Sequence, residues 1–282
     1  MFNLVIATKN RPLELERLFS SLLLDGNYSE ILKIIVVDQS NANIFAQNAA
    51  LISRVFEKRN GIEVIHIDDK NTGLSKARNL GLTYIADQGY LCFPDDDCWY
   101  PKGFFLQMRE QFEKTHVTFL LTYYREEDKD RPELRTNYKI TWLNLKKTSF
   151  NSVSIFINLS KVDKRHLYFD ENIGAGTSLP YGEDNLFSYR MFSLYGNTMK
   201  ISDPYVFHPV IRGGQADYEK AALASSYVNL HPELGLFFKV FFLLSIFRTA
   251  IKSCYSEKDK LLLKGKIRAL QSQTANKCTS KR

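Results

Sequence analysis

The chain has 282 residues, 44% hydrophobic and 13% aromatic, enough to bury a full core in one large domain or in one domain with a small appendage; a disordered chain is excluded. Its 38 Lys and Arg against 31 Asp and Glu give a formal charge of +7, which raises nucleic acid as a partner, but the excess is local. From Lys239 onward stand eleven basic and two acidic residues, leaving 27 basic against 29 acidic in the first 238, so the body reads as a near-neutral, enzyme-like domain and no nucleic acid is expected.

The first hundred residues alternate as βαβ units, which predicts an α/β fold. Residues 2–7 (FNLVIA) read as a core strand rather than a signal peptide, so export is not expected. Pro12 opens a helix with Leu15, Leu18 and Leu22 on one face. A second strand is expected at 33–38 (KIIVVD), then a polar QSN turn, a helix over 44–57, a strand at 62–67 and a helix over 74–86. The fourth strand, 89–93, runs into Asp95, Asp96 and Asp97.

A helix at 102–114 and a strand at 117–123 follow, and 125–135 (REEDKDRPELR) reads as an exposed charged loop. Further on come a strand at 153–159, a Gly-rich turn at 172–184, a helix at 184–195 and a strand at 198–207, with helices filling the remainder. Cys92, Cys98, Cys254 and Cys278 form no CxxC pair and read as reduced thiols of a cytosolic protein. A zinc site from Cys92, Cys98 and a histidine is the alternative.

Ligands of open α/β sheets bind at the carboxyl ends of the strands, where three of these strands end in reactive side chains: residues 8–11, Asp38, and Asp95 to Asp97. Three adjacent carboxylates repel one another unless a cation or polyhydroxyl ligand offsets them, and hard oxygen ligands suit a divalent metal. A solvated acidic loop is the plain alternative, but this run follows a buried strand and precedes Trp99-Tyr100-Pro101. Asp38 reads either as a helix N-cap or turn residue or as a carboxylate that recognises a base or ribose. In 70–82 (KNTGLSKARNLGL), Asn71 and Gly73 precede a helix with Lys76 and Arg78, a pattern that can hold a diphosphate or can be an ordinary basic helix start. Glu183 and Asp184 open a helix, where the dipole alone favours acids, yet a carboxylate there can also remove a proton. His208, at a strand end, is either structural or a nitrogen ligand to the same metal.

In order, ATKNRPLELERLFSSL, IIVVDQS, KNTGLSKARNLGL, YLCFPDDDCWYP and GEDNLFSYRMFSLYG resemble the family 2 glycosyltransferases of GT-A fold over roughly residues 2–210. The resemblance implies a Rossmann-like mixed central sheet with flanking helices: a catalytic domain over 1–212, with a nucleotide-binding half to residue 100 and an acceptor-binding half beyond it. A helical, basic extension over 213–282 follows. It implies a nucleotide-diphospho-sugar donor, with a UDP-sugar favoured, a Mn²⁺ or Mg²⁺ ion, and inversion at the anomeric carbon. By position, Thr8, Asn10 and Arg11 would line the nucleotide pocket and Asp38 would face the base. Asn71, Gly73, Arg78 and Asp96 would lie along the nucleotide-sugar, and Asp95 would meet ribose or metal. Asp97 and His208 would hold the metal, Asp184 would be the general base, and Trp99, Gly182 and Glu183 would stand on the acceptor side. No QxxRW follows the base and no run of membrane-spanning segments is present, so one sugar per encounter is expected.

Residues 234–252 are intensely apolar but interrupted by Lys239. On a helix, Ser245, Arg248, Thr249 and Lys252 share one side and most Phe and Leu residues the other, which fits an interfacial helix; the basic KDKLLLKGKIRALQ that follows attracts anionic lipid. The alternative is a helix pair packed on the catalytic domain or on a second copy in a homo-oligomer. Under the membrane reading the acceptor is an undecaprenyl-linked glycan of capsule or O-antigen assembly, handled at the cytoplasmic face of the cell membrane by a peripheral enzyme. A non-catalytic GT-A-like binding module is the rival reading. A nucleotidyltransferase is disfavoured, since no Gly-rich phosphate loop follows the first strand.

Overall fold

The alternation of apolar runs and amphipathic segments produces the expected α/β sheet. The computed structural model describes residues 1–57, 61–125, 136–209, 217–253 and 256–279, with side chains through residue 270; the loop expected at 125–135 lies outside the described residues apart from Arg125. In chain order the elements are β1 (Phe2–Thr8), α1 (Pro12–Leu22), β2 (Ile31–Asp38), α2 (Ala42–Phe56), β3 (Glu63–Asp68), α3 (Leu74–Leu82), β4 (Tyr90–Cys92), α4 (Phe104–Thr115), β5 (Phe119–Leu121), β6 (Tyr124–Arg125) and β7 (Tyr138–Lys139). They continue with β8 (Ile155–Asn158), α5 (Glu183–Tyr195), β9 (Thr198–Lys200), β10 (Val206–Phe207), α6 (Tyr218–Leu230), α7 (Leu236–Ser253) and α8 (Glu257–Thr279).

Among the described residues, eight strands form one mixed sheet in the order β3-β2-β1-β4-β8-β5-β9-β7, and β10 pairs with β6 in a second, two-stranded sheet. The strands β3, β2, β1 and β4 run parallel, with Thr8 in register with Asp38 and Asp38 with Asp68; an isolated bridge joins Ala7 to Asp95. That register gathers the polar strand ends on one edge.

Both faces of the parallel part are covered, which is why its strands read as near-continuous apolar runs. Leu4, Ile6, Ile34 and Val36 share a core cluster with Leu15, Leu18 and Phe19 of α1, Leu51 of α2, and Phe104, Phe105, Met108 and Phe112 of α4. On the opposite face α3 lies against β1 and β2. Gly81 is the reason it can, since a Cβ there would sit 2.5 Å from Cγ1 of Val5. Buried Asn3 is satisfied near the start of β1: its side-chain amide donates to the carbonyls of Gln88 and Tyr90 and accepts from the Ala86 N–H. That anchor ties the Ala86 N–H to β1, and α3 stops at Leu82 rather than reaching residue 86.

The strand expected over 198–207 is two strands, β9 and β10, because Pro204 between them has no N–H to give a ladder. Cys92 and Cys98 are free and buried, and burial raises both thiols well above their usual range.

The chain divides into two compact units, Met1–Phe169 with Leu194–Ile211, and Asp170–Ser193 with Arg212–Arg282. In the second unit α6, α7 and α8 pack together. Gly265 of α8 lets α6 approach closely, as a Cβ there would stand 2.9 Å from both the Ala222 Cβ and the Glu219 carbonyl. Among the described residues no helix is long and apolar enough to cross a membrane.

Gly81→Val should lower the unfolding free energy by roughly 1–3 kcal/mol, the usual cost of overpacking a filled core. Urea denaturation followed by far-UV circular dichroism measures it; an unchanged midpoint would mean that α3 has room to withdraw from β1.

Candidate active site

The aspartates sit where β4 ends beside β1, and each is met by a cation from a different element. Arg78 of α3, only 2% exposed at its side chain, donates from Nη2 to Asp95 Oδ1 at 3.0 Å and to Ser152 Oγ at 2.6 Å, and its guanidinium lies 5.1 Å from the Phe169 ring centroid. Arg11, which caps α1, donates from Nη1 to Asp96 Oδ1 at 3.1 Å and to Asp97 Oδ2 at 3.0 Å. Thr8 Oγ1 donates to Asp96 Oδ2 at 2.9 Å. His208, just past β10, brings Nε2 to 3.2 Å from Asp97 Oδ1 and 3.6 Å from Asp95 Oδ2.

These pairings divide the charge unequally. Burial works to raise the Asp95 carboxyl, but the hydrogen bond from His208 and the charge and hydrogen bond of Arg78 outweigh it, so it lies below its ordinary value. For Asp96 burial wins over Thr8 and Arg11 and pushes the group up to about 6. Burial by itself would lower His208; the hydrogen bonds to Asp95 and Asp97 and their charges reverse that and raise it to about 10. A proton on His208 thus occupies the seat between two carboxylates that a metal cation could take.

Whether the residues fit a metal is decided by their donor set. One ligand atom from each of Asp95, Asp97 and His208 lies within 4.8 Å of the others, and among the described residues this is the one such grouping of three or more. Two carboxylate oxygens and one imidazole nitrogen suit Mn²⁺, and Mg²⁺ with water completing its shell. No grouping among the described residues joins a cysteine to a histidine, so the zinc alternative has no site there.

The neighbouring residues shape the edge of the sheet rather than the metal seat. Asn10 donates its N–H to Ser40 Oγ at 2.7 Å and accepts from the Asn41 N–H at 3.1 Å, tying the loop after β1 to the loop after β2. Asp38 is fully buried: it accepts from the Ser40 N–H at 2.9 Å and from Asn48 Nδ2 at 2.8 Å, and His66 Nε2 lies at 3.1 Å. Burial would raise this carboxyl, but those hydrogen bonds together hold it below the ordinary range. Asn71 donates from its backbone and side chain to Asp69 Oδ1 at 3.0 and 2.7 Å. Gly73 caps α3 at φ +125°, a conformation open to glycine. Trp99 stacks on Phe207 with centroids 5.4 Å apart and exchanges two backbone hydrogen bonds with it, fixing the approach of His208.

The first unit therefore brings together Thr8, Arg11, Arg78, Asp95, Asp96, Asp97 and His208, with Asn10, Asn71, Gly73 and Trp99 in the flanking loops and Asp38 beneath them. Gly182, Glu183 and Asp184 belong to the second unit. There Glu183 is buried and Asp184 half-buried in the first turn of α5, and Gly182 helps line a cavity of about 250 Å³ with Tyr181, Asn185, Tyr189, Ser225 and Asn229.

Sequence reasoning missed three contributors. Ser152 hydrogen-bonds Arg78 and lies 3.3 Å from Asp95 Oδ1; Arg17 donates to the Asp97 carbonyl at 2.6 Å and lies 4.1 Å from the Trp99 ring centroid; His66 supports Asp38. Only His66 left a signal, as a lone imidazole in the apolar run IEVIHI.

With this geometry in view, the comparison with known sequences is decisive: the model of glycosyl transferase family 2 matches residues 3–171. The chain belongs to glycosyl transferase family 2. No curated protein matches it. Among solved structures, S. aureus TarS aligns at TM-score 0.65 and 18% identity, covering 92% of this chain and 44% of TarS, so the chain spans less than half the length of that protein. TarS 1–349 in complex with UDP aligns at TM-score 0.64 and 18% identity over 89% of this chain and 72% of the other. Its complex with UDP-GlcNAc aligns at TM-score 0.65 and 17% identity with the same coverage. At that identity the likeness bears on fold: a GT-A domain with a helical C-terminal region.

Arg78→Met removes the buried cation facing Asp95. Because Asp95 is itself 31% exposed at its side chain, we expect a loss near the low end for a broken buried pair, about 3 kcal/mol, read by equilibrium urea unfolding. An unaltered stability would show that the guanidinium does not offset the acidic cluster.

Proposed function

We propose that this family 2 chain is an inverting glycosyltransferase, moving one sugar from a nucleotide-diphospho-sugar to a hydroxyl of a glycan acceptor. The observation that carries the reading is the convergence of Asp95, Asp97 and His208 at the carboxyl edge of the sheet, beside the guanidinium of Arg11. A UDP-sugar is the favoured donor, supported by the UDP and UDP-GlcNAc held by TarS, a fold neighbour.

In this reading residues 1–212 are the catalytic domain. Asp95, Asp97 and His208 would hold Mn²⁺ or Mg²⁺, which when bound supplies positive charge to offset that of a departing diphosphate. Arg11 and Arg78 add fixed positive charge to the same pocket, and Arg11, half-exposed, can turn from the carboxylates to a phosphate. Thr8, Asn10, Asn71 and Gly73 line the nucleotide, with Asp38 setting the loop that faces the base. Asp184 takes the proton of the acceptor hydroxyl as that oxygen attacks the anomeric carbon, and the single displacement inverts its configuration. The cavity beside Gly182 offers amide, hydroxyl and aromatic groups without a formal charge, a lining that suits a neutral sugar of the acceptor. Trp99 in the first unit and Glu183 in the second are each read as acceptor-side candidates. The acceptor is read as an undecaprenyl-linked glycan of bacterial surface polysaccharide, met by a peripheral enzyme at the cytoplasmic face of the cell membrane.

A thermal-shift panel of UDP, GDP, dTDP and CMP sugars, each with and without Mn²⁺, tests the donor half. One nucleotide-sugar should raise the melting temperature in a metal-dependent way, and Asp97→Ala should lose that response while remaining folded. Silence from every nucleotide on folded protein would leave a non-catalytic module of GT-A fold.

Asp184→Asn should keep the donor-induced shift and lose transfer by roughly 100- to 10,000-fold, the usual worth of a general base. Undiminished turnover would remove Asp184 from the mechanism.

A further inference from the structure

Helix α7 leaves most of its apolar surface outside the packed face, unlike a helix of a water-soluble domain. Such helices turn their apolar stripe to the core. In α7 the packed face is narrow and only partly apolar, joining Phe238 and Phe242 to the hydroxyls of Ser245 and Thr249: Thr249 is 7% exposed, and Lys266 of α8 donates from Nζ to Thr249 Oγ1 at 2.8 Å and to the carbonyl and hydroxyl of Ser245 at 3.3 Å. Only Phe238 and Phe242 among its phenylalanines are buried beside them.

The opposite side carries Leu236, Val240, Leu243, Leu244, Phe247 and Ile251, each between 45% and 73% exposed. At 3.6 residues per turn these six fall within roughly 100° of arc, one continuous stripe. Lys239 borders one edge of it, and exposed Arg248 and Lys252 border the other. The helix has no acidic residue.

We propose that this face of α7 is a membrane-contact surface for anionic phospholipid, with the helix lying in the plane of the headgroup layer. The apolar side chains enter the acyl boundary while the bordering Lys and Arg stems reach back to lipid phosphates. Charge selects this occupant over a second copy of the chain: a self-paired face would bring two segments of +9 together, whereas an anionic surface offsets them. The three charges in the helix, Lys239, Arg248 and Lys252, suit lying in the interface rather than crossing it. The inference rests on the reading of a peripheral enzyme with a lipid-linked acceptor, and it names the surface by which that enzyme would hold to the lipid.

Flotation of the full chain with vesicles tests it, using phosphatidylcholine alone and an equal mixture of phosphatidylcholine and phosphatidylglycerol. The chain should float with the mixed vesicles, more weakly as salt is raised, and not with phosphatidylcholine alone. The double variant Leu244→Glu, Phe247→Glu should lose at least about tenfold in vesicle affinity, with its melting temperature unchanged because both side chains already face solvent. Binding that ignores the anionic lipid, or survives in the double variant, would overturn the proposal. So would a dimer in lipid-free buffer that the same variant dissociates, since the face would then belong to a second copy. The thermal-shift panel of nucleotide-sugars is read separately on the same protein: its silence with flotation intact removes the transferase reading alone.

Discussion

Three carboxylates on consecutive residues at the mouth of a buried strand repel one another, and the polar architecture of the first unit is organised around that repulsion. Each acid has a partner drawn from a different element: Arg78 for Asp95, Arg11 and Thr8 for Asp96, Arg11 and His208 for Asp97. The compensation is least effective at the middle acid, where burial adds to the repulsion and outweighs Thr8 and Arg11. Asp96 is raised to about 6 while Asp95 is lowered, and Asp96 contributes nothing to the Asp95, Asp97 and His208 grouping. The outer two are the acids that stand with His208.

These pairings tie the site to packing far from it. Arg78 can reach Asp95 only because α3 lies close on β1 and β2, and α3 lies close because Gly81 leaves room for Val5. His208 owes its position to β10, which is held from two sides, by pairing with β6 and by the bridge from Phe207 to Trp99. Trp99 follows the aspartates by two residues, so one short stretch of chain provides both the acids and the strut that brings their histidine to them.

The parts of this arrangement that were legible in the sequence are those encoded locally. An apolar run ending in Asp95, Asp96 and Asp97, Pro12 opening a helix, and Gly73 before another are patterns within a few residues, and both helices begin where expected. What was not legible depends on partners brought from a distance: Ser152 lies 57 residues from Asp95, Arg17 80 from Asp97, and His66 28 from Asp38. A serine or arginine in isolation has no pattern that announces such a contact. The break in the strand expected at 198–207 was readable from Pro204, but the apolar content on either side of it masked the signal.

Amphipathicity in α7 was also readable, yet a helical wheel says only that two sides differ. It does not say which side is packed. Here the answer comes from α8, where burial lowers the Lys266 ammonium and its hydrogen bonds to Ser245 and Thr249 fix the rotation of α7 about its own axis. A lysine is a costly group to half-bury, and it is satisfied only while the hydroxyl side of α7 faces it. Turning the apolar stripe inward would take Ser245 and Thr249 away from Lys266 and leave that ammonium without them. The same contact that stabilises the helix pair therefore holds the leucine-rich aliphatic stripe outward, so its exposure follows from the packing of the pair.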